Sequence, residues 1–276
     1  MKRPTAIYVA DRFPGLRLRL LELLGGLSAE EWSQPTAARL WLVKDVVAHL
    51  LGGDLGNLSR RRDAFTPPGT PIPDFAGLVK FINELNHEWV RAARRLSPRV
   101  LCDLLEFTGP QMEAYFSSLD PDALGGSVSW AGPDPAPVWL DVAREFTERW
   151  HHQQQIRDAT GRLPLYDPYF LGPVLDTFVR ALPYSFRDTV APEGTVIGIA
   201  ISGEAGGSWA LRRGQDAWEL FVGIDAPPAA EVVLSQDAAW RLFTRGIDPG
   251  QARHLATVRG NSALAAPLFA TLAVIA

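Results

Sequence analysis

The hydrophobic period of this chain changes once, and that change constrains its fold more than any other feature. Up to about residue 165 apolar side chains recur three and four positions apart; after about residue 190 they alternate over short runs. The first spacing is that of helix faces packed on one another, the second that of half-buried strands. A helical run followed by a run of strands predicts an α+β chain in two parts. At 276 residues, 47% of them apolar, there is enough chain for two cores without metal or disulfide staples.

The helical part divides at its glycines and prolines. Leu16, Leu18, Leu20, Leu21, Leu23 and Leu24 fill a first helix that stops at Gly25-Gly26. Ser28 and Glu31 have the spacing of a capping box. Further helices are predicted from about Val43 to Arg61, from Phe75 to Leu96, from Ser97-Pro98 to about Leu119, and from Val138 to Thr160, where Gly161 and Pro164 end the pattern. These long helical regions predict an antiparallel four-helix bundle over residues 1–164. Asp63 to Asp74, with four prolines, reads as a loop. Asp120 to Pro137 reads as a long connection of the kind that borders a site, with Trp130 either walling a pocket or packing on the bundle.

Residues 165–276 read as a smaller α+β domain. Tyr169 to Phe186 is predicted as a joining helix. Strands are predicted at Thr195–Ile201, Ser208–Arg212, Trp218–Val222, Glu231–Leu234 and His254–Val258. Ser235 is placed to cap a short helix through about Thr244, and Asn261 or Ser262 a terminal helix from Ala263 to Ile275.

Charge excludes some partners. Residues 1–165 carry 19 basic and 20 acidic side chains, residues 166–276 carry 8 and 11. Neither part has the basic excess that binding a phosphate backbone needs, so no nucleic-acid partner is expected. The longest apolar run, Pro267 to Ala276, is half a membrane span, and no membrane partner is expected. Cys102 is the only cysteine, which rules out an intrachain disulfide and a Cys-based zinc site and agrees with a cytoplasmic setting.

The candidate site comes from ionisable residues on inward faces. Val138, Val142, Glu145, Glu148, His152, Ile156 and Ala159 form one stripe along the last bundle helix. Its ends are apolar and its middle holds two carboxylates and an imidazole, groups that need partners, water or a metal when buried. Glu148 and His152 lie one turn apart, and His49 is the third candidate, on the inner face of the second helix beside Val46, Leu50 and Gly53. Glu145 competes as a ligand. His151 points about 100° away from His152. Two histidines and a carboxylate from two helices are a donor set for a divalent metal with open positions. The same residues also have an ordinary reading, as a hydrogen-bonded core histidine and a solvated helix pair. His87 reads as a surface residue and His254 as strand or loop.

The segment Trp41-Leu-Val-Lys44-Asp45-Val-Val-Ala-His49-Leu50 resembles the first histidine signature of the DinB-like mycothiol-dependent maleylpyruvate isomerase family. Glu148-Arg-Trp150-His-His152, followed by Ile156-Arg157-Asp-Ala-Thr-Gly161-Arg162, is similar to its second. The resemblance implies a divalent metal on His49, Glu148 and His152, zinc first, with nickel or iron fitting the same donors. It implies a low-molecular-weight thiol cofactor such as mycothiol, and an isomerase or S-transferase acting on a small electrophile. It also implies a sterol-carrier-like C-terminal domain, through Val258-Arg259-Gly260-Asn261 and the apolar residues after it. A catalytic arginine is expected in that domain, where Arg212 and Arg213 are the nearest guesses. Gln153-Gln154-Gln155 departs from the family's Glu-Gln-Asp, which predicts a missing acid beside the metal and a weaker site. The alternative expectation is a non-catalytic metal-binding protein or carrier of an apolar ligand.

Overall fold

The computed structural model describes residues 1–38, 40–66, 69, 74–225 and 227–274. In chain order the helical region holds α1 (Phe13–Gly25), α2 (Val43–Asn57), α3 (Phe75–Ala93) and α4 (Pro98–Ser118). Two short strands follow, β1 (Leu124–Ser127) and β2 (Pro135–Pro137), and then α5 (Val138–Ala159). Next come α6 (Pro168–Phe178), α7 (Leu182–Ser185), β3 (Val196–Ser202), β4 (Gly207–Arg213), β5 (Trp218–Val222) and β6 (Ala230–Ser235). The chain ends through α8 (Gln236–Phe243), α9 (Pro249–Leu255), β7 (Thr257–Gly260) and α10 (Ser262–Ala265). The α+β class with a helical N-terminal region and a C-terminal sheet is the one the change of period predicts.

The chain separates into two compact units that are discontinuous in sequence. One comprises Tyr8–Pro121 and Glu148–Leu165, the other Met1–Ile7, Asp122–Thr147 and Tyr166–Ala276. In the helical unit α2 packs on α3 and α4, and α1 on α4. One core joins Leu20, Leu23 and Leu24 of α1, Val43, Val46, Val47 and Leu51 of α2, Leu101 and Leu105 of α4 and Ile156 of α5. The helix starts follow their caps. The Ser97 hydroxyl accepts from the Val100 N–H, and Ser28 and Glu31 close a reciprocal box around a single 3-10 turn. α2 passes into a π-turn at Leu58–Arg62. α4 runs through Pro110, whose missing N–H is tolerated because Pro110 and Glu106, four residues before it, both face solvent.

In the sheet unit the strand order is β5-β4-β3-β6-β7, with β3 and β6 parallel and the other neighbours antiparallel. α8 packs on β3 and β6 beneath Ser235, whose hydroxyl accepts from the Ala238 N–H. Four details differ from the sequence expectation. The stretch 120–137 is not all connection, because β1 and β2 pair as an antiparallel hairpin, and Trp130 between them is buried. The joining helix is broken into α6, a 3-10 turn and α7. His254 lies in helix α9, which Asp248 and Gln251 start by bonding reciprocally, so the fifth strand begins only at Thr257. The terminal helix stops after α10 and a 3-10 turn, Ala266–Ala270, where Pro267 offers no N–H; Ile275 lies outside the described residues. The four prolines between 63 and 74 also lie outside them.

Candidate metal centre

Each residue of the first histidine segment has a visible task. Val43 and Val46 are fully buried and seat α2 in the core. Asp45, 2% exposed, accepts from the Leu42 N–H and takes a two-pronged bond from Arg94, Nε at 3.0 Å and Nη2 at 2.9 Å. That pair pins the first turn of α2 to the end of α3, while Lys44 donates to the Arg94 carbonyl at 2.8 Å. One turn on, His49 emerges beside the Trp41 ring, centroids 4.8 Å apart.

The second segment is built the same way. Trp150 is buried and its indole N–H reaches the Leu165 carbonyl at 3.1 Å. Ile156 is core, and Gly161 with φ +62° reverses the chain after α5. Arg162 donates to the Gly26 carbonyl and to Glu31. These contacts hold α5 so that His49, Glu148 and His152 bring one ligand atom each to within 4.8 Å of one another. His152 Nε2 and Glu148 Oε2 are 3.5 Å apart, and the two imidazoles meet edge to face with centroids 4.6 Å apart. Two donors at zinc distances in a tetrahedron are separated by about 3.3–3.6 Å.

The three sequence candidates therefore converge, and they are the group among the described residues whose donors do so. Glu145, the competitor, is buried but takes a 2.5 Å bond from Arg144 and is not in the group. His151 is buried with its ring tilted against that of His152, centroids 3.9 Å apart, and is not in the group either. His87 is exposed, as expected.

The three glutamines after His152 gain a meaning that spacing did not give them. All are buried. Gln153 bridges α5 to α1 by donating to the Leu16 carbonyl, and its oxygen accepts from Arg157. Gln154 accepts from the Leu165 N–H. Gln155 Oε1 lies 2.9 Å from His152 Nδ1. An amide oxygen only accepts, so Nδ1 is the donor in this bond, and Nε2, 3.5 Å from Glu148, is the nitrogen that faces the cluster. The position thus carries a neutral acceptor beside His152, in keeping with the acid expected to be missing there.

One pair escaped the sequence reading. Arg149 Nη2 donates to Asp54 Oδ1 at 2.7 Å, and the Thr108 hydroxyl donates to Asp54 Oδ2 at 2.8 Å. The guanidinium also lies 5.6 Å from the rings of both Phe13 and Phe116. The pair ties α2 to α5 one residue beyond Glu148. Both helices had been singled out, but nothing in a one-dimensional pattern pairs residues 95 positions apart.

In the sheet unit Arg212 pairs with Glu219 at 3.1 Å and lies over the Phe221 ring, a structural engagement. Arg213 is half-buried with its Nη1 atom unsatisfied. The Cys102 thiol is pushed up by burial and by Glu106 and Asp103, which makes it a poor nucleophile.

The sequence profile described as the mycothiol maleylpyruvate isomerase N-terminal domain matches residues 14–157, more than half of the chain, and the chain belongs to that family. A mutant of the mycothiol-dependent maleylpyruvate isomerase superposes with a TM-score of 0.52 at 13% identity, covering 91% of this chain and 90% of that one. A second structure of that isomerase gives a TM-score of 0.52 at 13% identity over 84% and 86%. The likeness extends the shared fold over both parts of the chain. The sterol carrier protein domain 2 of Helicoverpa armigera aligns over 34% of this chain and 78% of its own at 18% identity, with a TM-score of 0.27, too low to establish a shared fold. No curated protein sequence matches. Among the described residues no helix is long and apolar enough to cross a membrane.

Proposed function

We propose that this member of the mycothiol maleylpyruvate isomerase family is a metal- and thiol-dependent enzyme, an isomerase of maleylpyruvate type or a related S-transferase acting on a small electrophile. One observation carries the reading: two imidazoles and a carboxylate, His49 lying 99 and 103 positions before Glu148 and His152, bring their donor atoms within 4.8 Å of one another. The donors fit a divalent ion, zinc first, with nickel and iron taking the same set. When bound, the ion supplies positive charge that lowers the pKa of a coordinating thiol such as mycothiol, with positions left open beside it.

The chain's own residues do the rest. Gln155 holds the proton on His152 Nδ1 and so presents Nε2 as a donor. Glu148 contributes a negative charge to a site whose other two ligands are neutral. Trp41 lies against His49 and, at 6.3 Å, near His152, which limits water on that side. The thiol comes from outside, since Cys102 is held protonated.

The bundle that carries the site is read as α1, α2, α4 and α5, because residues of these four helices line one shared interior cavity. The reading assigns metal chemistry to residues 1–164 and a sterol-carrier-like α+β domain to residues 165–276, in a cytoplasmic setting.

Elemental analysis of protein purified without added metal is the first test. About one equivalent of a divalent transition metal is expected in the wild type and a loss of it in the His49→Ala, His152→Ala double variant. Equal content in both would remove the metal centre. Incubation with metal, mycothiol and a panel of electrophiles is the second test. Turnover abolished by His49→Ala supports the enzyme, and chelator-insensitive binding of apolar ligands with no turnover supports a carrier instead.

A further inference from the structure

Resting on the metal reading, we propose that α2 carries a recognition subsite for a negatively charged arm, such as a carboxylate, of the small molecule held at the metal cluster. Gly53 leaves the room for that arm and Arg60 supplies the opposite charge. Both residues lie in the helical unit with His49, Glu148 and His152.

His49, Gly53 and Gly56 are four and three positions apart, so they follow one another along one face of α2. Glycine is, after proline, the least favourable residue inside a helix, and α2 holds two in succession. Packing accounts for Gly52: a Cβ there would lie 2.5 Å from the Trp89 ring, whose indole N–H donates to the Ala48 carbonyl at 2.6 Å. Packing does not account for Gly53, which is exposed and where a Cβ would meet nothing within 4 Å. The helix therefore bears an unfavourable residue that keeps space clear one turn from a donor of the cluster.

Arg60 stands at the far end of that space. It belongs to the π-turn Leu58–Arg62, and its Nη2 lies 3.5 Å from where a Gly56 Cβ would be, so the guanidinium folds back along α2 toward His49. Gly56 is two turns beyond His49, about 10 Å at the helical rise. Among the described residues no carboxylate engages Arg60, whereas Arg62 is held by Asp63 and Gln111. A ligand with one atom on the metal and a carboxylate about 10 Å away along α2 meets positive charge at both ends. The guanidinium fork also matches the two oxygens of a carboxylate.

The test uses cobalt(II)-loaded protein, in which sulfur-to-cobalt charge-transfer absorption reports thiol binding without turnover. It is titrated with the six-carbon thiols mercaptohexanoate and mercaptohexanol, which differ in the charge of the far end. The wild type is expected to bind mercaptohexanoate about three- to fivefold more tightly at low salt, with the advantage fading at about 1 M salt. Arg60→Gln is expected to erase the difference and leave the mercaptohexanol affinity unchanged. Gly53→Leu fills the space and is expected to weaken both thiols by about tenfold or more with cobalt content unchanged. Gly53→Ala, metal-free, is expected to melt about 2–4 °C higher, since the position is not needed for packing. Equal affinities in the wild type, a preference that survives Arg60→Gln, wild-type binding of both thiols by Gly53→Leu, or a lower melting point for Gly53→Ala overturns the proposal. Protein that takes up no cobalt, or absorbs with neither thiol, removes the metal reading and the subsite together, whereas absorption with equal affinities removes the subsite alone.

Discussion

Replacing Gln155 tests how the metal centre is oriented, since Gln155 touches no ligand atom facing the cluster. The perturbation is Gln155→Leu, one atom shorter, which removes the acceptor without adding charge. Gln155 is 9% exposed and His152 6%, so water does not readily replace the 2.9 Å bond to Nδ1. Losing a buried hydrogen bond and leaving its donor unpaired costs about 1–3 kcal/mol. Here that cost falls on the tautomer whose Nε2 faces Glu148, and therefore on metal affinity. Loss of such an outer partner weakens metal binding by about 10–100-fold, equivalent to about 1.4–2.7 kcal/mol, in agreement with the bond's own value. Gln155→Glu works in the opposite direction. A carboxylate at Nδ1 strengthens the bond and the basicity of Nε2, so metal binding is expected to tighten by about tenfold. The metal-free protein is expected to melt lower, because the new charge is buried without the ion. Competition against a chromophoric chelator measures both affinities, and thermal unfolding with and without metal measures the second effect. Affinities of both variants within twofold of the wild type would refute the assignment of Gln155 as the group that orients His152.

Asp54→Ala leaves Arg149 buried without this carboxylate and is expected to destabilise the protein by about 3 kcal/mol, whereas Asp54→Asn, which still accepts, costs about half as much; urea unfolding that ranks the two equally would contradict the ion-pair account. Gly260 has φ +72° and an added Cβ there would lie 2.4 Å from the Ala229 carbonyl oxygen, so Gly260→Ala is expected to lower stability by about 2 kcal/mol or more, read by near-ultraviolet circular dichroism on heating. Tyr166 donates to Asp237 and accepts from Trp240, and burial followed by the Asp237 bond raises its pKa to about 12. The folded value lies above the unfolded value of about 10, so the stability this hydroxyl contributes is complete below pH 10 and is lost as pH rises from 10 to about 12. Unfolding of wild type and Tyr166→Phe across that window should show the wild type falling faster, and parallel curves would contradict it.

Much of the site was present in one dimension because a helix converts spacing into direction. Glu148 and His152 are one turn apart, so they share a face wherever that helix lies. His49 was assigned to an inner face because Val46, His49, Leu50 and Gly53 follow the i, i+3, i+4, i+7 spacing. The periods 3.6 and 2 likewise marked the long helices and the main strands, though not the β1–β2 hairpin or helix α9, and Ser97, Ser235 and Asn261 marked helix starts because a short polar side chain satisfies N–H groups that the helix leaves open. What escaped was decided by contact between distant segments. Whether His49 meets His152 depends on how α2 packs on α5. The same holds for Asp54 with Arg149, and for the cavity that Leu50 shares with Met112. Gln155 reads as a missing acid until its oxygen is found on His152, because hydrogen-bond direction has no periodicity. The sequence by itself determined the elements and the residues offered to the interior; only the tertiary structure decided which of them face one another, since that is set by the packing of apolar surfaces far apart along the chain.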